Sequence, residues 1–144
     1  MCQAATIQQI KQRFYAMRNG IIADTMRRVG APYRMIFGVN LPQLTAIAAT
    51  IEPNASLAEQ LWSDSTTRES VLLAPMVMPA DCFTIEIAQR WIATAPSNEA
   101  IDVLCLKLLS RVPYLAELAA TLAADESPSD LAAYAAVRLR HYLE

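Results

Sequence analysis

Apolar residues recur at helical spacing along nearly the whole chain. Ile7, Ile10, Phe14 and Met17 form a first stripe, and residues 21–29 read as a second, short helix that Gly30-Ala31-Pro32 ends. Asn40 is placed to cap a helix with Pro42 in its first turn and Leu44, Ile47, Ala48 and Ile51 along one face. Asn54 or Ser56 would cap the next, which carries Leu57, Leu61 and Trp62. Thr66-Thr67-Arg68-Glu69 fits a capping box, with Thr66 as N-cap and Glu69 three residues on, before an apolar helix that Pro75 interrupts. Four clearer helices follow, over 83–94, 98–111, 114–124 and 128–143. The second of these sets Ile101, Leu104, Cys105, Leu108 and Leu109 at i, i+3, i+4, i+7 and i+8, and Leu106 widens its apolar surface. In the last, Ser127 is the expected N-cap, Pro128 the first helical residue, and Leu131, Tyr134, Ala135 and Leu139 face inward.

No strand pair is visible, so the fold class is all-α. Pro79, Pro96, Pro113 and Pro128 are evenly enough spaced to mark short helices joined at tight corners. The helices group as 56–63 with 67–77, 83–94 with 98–111, and 114–124 with 128–143. Paired helices at a period near ~30 residues describe a solenoid of antiparallel pairs; a compact helical bundle is the competing architecture. The expectation is one domain over 1–144, with helices in 1–34 ahead of repeats in 40–144.

Composition narrows the chemistry. No glycine occurs from Leu41 to Glu144, which removes a P-loop, a dinucleotide fingerprint and a glycine-flanked nucleophile turn from that stretch. Cys2, Cys82 and Cys105 are scattered and His141 is the one histidine, so no metal site and no cofactor are expected. Unpaired cysteines and the absence of an apolar leader point to a cytoplasmic setting, and the longest apolar run, 71–80, is too short for a membrane span. Charge is uneven. Residues 1–34 hold six basic side chains against Asp24 alone, a net +5, and the rest of the chain is at −7. A basic head of this kind suits nucleic acid. Trp62 and Trp91, about one repeat apart, read as packing positions rather than stacking platforms.

Three short motifs in fixed order then carry a resemblance. Phe37-Gly38-Val39-Asn40-Leu41-Pro42, then Leu61-Trp62, then Arg68-Glu69 opening an apolar helix, resemble the bacterial DNA alkylation-repair glycosylases of HEAT-like repeat fold, over roughly residues 33–112. The resemblance implies a HEAT-like α-α superhelix that holds duplex DNA and hydrolyses the N-glycosidic bond of alkylated purines without metal. It places the family's catalytic aspartate at Asp102. Asn98 stands where the family has tryptophan and Glu99 where it has an acid. The family's cleft arginine falls on the last helix, at Arg138 or Arg140. With these, Arg27, Arg28, Arg34 and Arg68 make up the candidate DNA-binding set. A carboxylate in this role stabilises positive charge on the sugar as the base departs. Because the tryptophan is replaced, a non-catalytic helical-repeat scaffold, binding a protein partner or a second copy, is the alternative.

Overall fold

The computed structural model describes residues 6–143. Among them every regular element is helical: α1 (Ile7–Ala16), α2 (Gly20–Arg28), α3 (Leu41–Ala48), α4 (Ala55–Ser63), α5 (Arg68–Val77), α6 (Ile85–Thr94), α7 (Asn98–Lys107), α8 (Leu115–Ala123) and α9 (Asp130–Leu143), with single 3₁₀ turns at Ala80–Cys82 and Leu109–Arg111. The chain divides into two compact units, one ending at Met78 and the other starting at Pro79. Cys2 lies outside the described residues.

In the first unit α5 is the core element. It packs on α3 and α4, and every one of its residues except Met76 is buried. Side-chain caps start the surrounding helices: Thr6 with Gln9 on α1, Asn19 on α2, Asn40 with Gln43 on α3, and Asn54 rather than Ser56 on α4. The box expected at Thr66 does not form. Thr67 is the N-cap residue of α5 and makes no side-chain capping bond. The Thr66 carbonyl takes the Met35 amide instead, and Met35 and Thr67 form an isolated parallel bridge.

Glu69 is drawn elsewhere. It is fully buried, and its carboxylate accepts the amides of Phe37 (3.0 Å) and Gly38 (3.1 Å). Arg68 Nη1 lies 2.6 Å from Glu69 Oε2 and donates to the Val39 carbonyl at 3.0 Å. Two of the motifs that carry the family resemblance are therefore the two sides of one buried polar network, in which each charge has a partner. Gly38 has φ +81°, and a Cβ there would sit 2.2 Å from the Asn19 carbonyl oxygen. Only glycine lets the 37–39 segment pass so close to the start of α2.

In the second unit Trp91, Ile92, Ile101, Leu104, Cys105, Leu118, Ala135 and Leu139 make the core. Trp91 packs edge-on to Phe83 with centroids 5.0 Å apart, and Trp62 is buried in the first unit, as packing residues. Tyr114 donates its hydroxyl to the Phe83 carbonyl. α9 packs on α8, α7 and α6. The helices expected as a pair over 83–94 and 98–111 thus share α9 as a neighbour. The cap of α9 is Ser129, whose Oγ accepts the Ala132 amide at 3.1 Å. Ser127 does not serve, since its amide is held in a turn by Asp125. Leu106 is 48% exposed, so α7 is not apolar all round.

Candidate functional site

α7 and α9 bring three side chains of the second unit together. Ser97 caps α7, and Ile101, Leu104 and Cys105 bury its inner face. Asp102 leaves from the edge of that face, with its side chain 41% exposed. Tyr134 and Arg138 stand one turn apart on α9, so both reach the same carboxylate. The Tyr134 hydroxyl donates to Asp102 Oδ1 at 2.7 Å, and Arg138 Nε lies 3.0 Å from the same oxygen. The arginine contact is an ion pair without hydrogen-bond alignment, so Tyr134 provides the directed bond. Oδ2 has no hydrogen-bond donor among the described residues. The arrangement is a charge-balanced carboxylate with one oxygen fixed and the other open.

The electrostatics follow from those contacts. The hydrogen bond to Asp102 raises the Tyr134 pKa, with burial adding to it, so the phenol stays a donor. Cys105, one turn along α7, is pushed up to about 12, first by burial and then by Asp102, with Arg138 opposing. It is a thiol and not a nucleophilic thiolate.

Of the residues singled out in the sequence, Asp102 and Arg138 meet. Arg140 is exposed and makes no ion pair with the described residues, and Asn98, where the resemblance expects a tryptophan, is exposed. Arg68 is 4% exposed and engaged with Glu69 and Val39, so it holds a corner of the first unit and cannot present a cation to phosphate. In the basic head, Lys11 pairs with Asp64 at 2.9 Å, Arg13 bonds Thr50, and Arg27 reaches Asp24 and the Ile36 carbonyl, each at 3.4 Å. Arg28 and Arg34 are exposed and have no partner among the described residues. Tyr134 was missed because helical periodicity reads it as a core residue. Its i, i+4 spacing from Arg138 is the signal that could have found it. Among the described residues no His/Cys/Asp/Glu cluster could hold a metal ion, and no helix is long and apolar enough to cross a membrane.

The sequence profile of a family described as DNA alkylation repair enzyme matches residues 10–129. The chain belongs to that family. The Glu69 network and Asp102 lie within the matched span, and Tyr134 and Arg138 lie beyond it. A solved structure described as "a new family of proteins related to the HEAT-like repeat DNA glycosylases with affinity for branched DNA structures" is similar, with 21% identity and a TM-score of 0.82. The likeness covers 94% of this chain and 56% of that one, so this chain spans a little over half the length of that protein. At that identity the likeness shows the fold, an all-α arrangement of HEAT-like helical repeats. No curated protein is similar enough to count as a match.

Proposed function

We propose that this member of the DNA alkylation repair family binds DNA and places Asp102 beside the sugar–phosphate backbone. The observation that carries the reading is the Asp102–Tyr134–Arg138 cluster, which is built on the residue the family resemblance proposes as the aspartate and leaves one carboxylate oxygen open. An alkylated purine leaves with its bonding electrons, and positive charge builds on the sugar. A fixed carboxylate lowers the energy of that charge. Tyr134 holds the carboxylate in place, while Arg138 balances its charge and can turn toward a phosphate. The exposed Arg28, Arg34 and Arg140 supply further phosphate contacts. The branched-DNA affinity described for the similar solved protein supports including a junction among the ligands.

A second reading, binding without base excision, is favoured by Asn98. It is exposed where the family has tryptophan, so no large aromatic wall faces the lesion from α7. One experiment separates the two. Binding is measured across a salt series on plain duplex, duplex with a methylated purine, and a four-way junction, and released base is assayed in the same samples. Salt-sensitive binding with base release that Asp102→Asn lowers by about 100-fold or more is the result expected of a carboxylate acting in the transition state. Salt-sensitive binding with no release keeps the DNA reading and removes the chemistry. No binding at low salt overturns both.

A further inference from the structure

The first unit contains a cavity of about 330 Å³ that the Asp102 cluster does not use and that shares only Phe37 with the family motifs. Tyr15, Met35, Ile36 and Phe37 form its walls, and Arg18 and Arg27 stand among them. The walls are set before any ligand arrives. The Phe37 amide is tied to Glu69, its carbonyl accepts the Asn19 amide, and its ring packs on buried Phe14 with centroids 5.8 Å apart. Met35 is held to α5 from both sides of its backbone, by Thr66 and Arg68. Tyr15 is 58% exposed, with the Arg18 guanidinium 3.9 Å from its ring centroid and Arg18 Nη1 bonded to the Tyr15 carbonyl at 2.8 Å. Arg27 is tied only by two long contacts of 3.4 Å, which a phosphate oxygen would displace.

An apolar, aromatic-walled cavity with two guanidinium groups and no carboxylate lining it suits a flat apolar body attached to an anion. The cavity falls in the lower part of the size range of small-ligand sites, from ~300 Å³ upward. A cavity in the second unit, about 560 Å³ and lined in part by Asp125, has the opposite charge character. We propose that the first-unit cavity takes one unpaired nucleotide of DNA, its base against Tyr15 and Phe37 and its phosphate on Arg18 and Arg27. Stacking on an aromatic wall accepts any base, so the preference is for an unpaired base and not for a sequence. The inference rests on the DNA-binding reading above.

Gly20 makes the site testable. Gly20 lines the cavity, and a Cβ there meets nothing within 4 Å and its φ is not positive, so Gly20→Leu adds bulk beside the cavity with little strain in α2. Tyr15→Ala removes an exposed wall. The probes are a short duplex with one unpaired 2-aminopurine and the fully paired duplex of the same sequence, read by anisotropy and by 2-aminopurine quenching. The wild-type chain is expected to quench the base and to bind the bulged duplex about tenfold more tightly than the paired one. Both variants are expected to lose that preference while keeping their affinity for the paired duplex. Equal wild-type affinity for the two duplexes, or variants that still discriminate, overturns the cavity assignment and leaves the DNA reading standing. Binding to neither duplex overturns both. A wild-type dimer that Gly20→Leu dissociates would show a second copy seated in the cavity, and that too overturns the proposal.

Discussion

Cys105 and Tyr114 keep their protons far into alkali. Burial lifts the Cys105 thiol from about 9 to about 12 and the Tyr114 phenol from about 10 to about 12, the latter with help from the Glu86 charge. In the unfolded chain both groups ionise at their ordinary values, about 9 and about 10. The stability they contribute is therefore complete below about pH 9 and is lost as pH climbs toward about 12. Cys105 acts first, with a limiting slope of about 1.4 kcal/mol per pH unit. Urea unfolding at a series of pH values should show the midpoint falling above about pH 9. Cys105→Ala should flatten the curve up to about pH 10, where Tyr114 takes over. An unchanged slope in that variant would mean that another group drives the alkaline loss.

Capping decides where most of the helices start, and two cap candidates in this chain have opposite fates. Asn40 closes a full box with Gln43, at 2.8 and 3.1 Å. Thr66 has the sequence of a box and none of its bonds. Asn40→Ala should thus cost about 1 kcal/mol in chemical denaturation, and Thr66→Ala should stay within about 0.5 kcal/mol of wild type. A large loss at Thr66 would contradict the structure. The contrast shows what local pattern can reveal. Caps and apolar stripes act within a turn or two, so all of α1 to α9 were legible in the sequence, though not every cap. Glu69 was misread because its partners, the amides of Phe37 and Gly38, lie more than thirty residues earlier in the chain. The same distance hid Tyr134. Its hydroxyl meets Asp102 only once α7 and α9 are packed, and the pairing of Asp102 with Arg138 was reached through family likeness and not through periodicity.

The two units differ in charge. Residues 1–78 carry seven basic and five acidic side chains, a net +2, and residues 79–144 carry five and nine, a net −4. Proline rhythm did not reveal the division, because Pro79 looks like any other corner in a regular series. Any DNA affinity should draw heavily on the first unit. Arg28→Ala and Arg34→Ala should each lower the slope of log affinity against log salt by about 0.9 if the arginine meets a phosphate. A slope that neither change alters would move the DNA contact to other residues.

The carboxylate of Glu69 has one further effect, on time rather than on position. Residues 36–39 belong to no helix, and such segments ordinarily exchange their amide hydrogens quickly. Here the amides of Phe37 and Gly38 end on a side chain inside α5. They cannot open to water unless α5 loosens, and α5 is the most deeply buried helix of its unit. In deuterated buffer these two loop amides should exchange as slowly as the middle of α5, in one cooperative event. The loop would then report on the global unfolding of its unit, while the end of α2, only a few residues away, frays on its own.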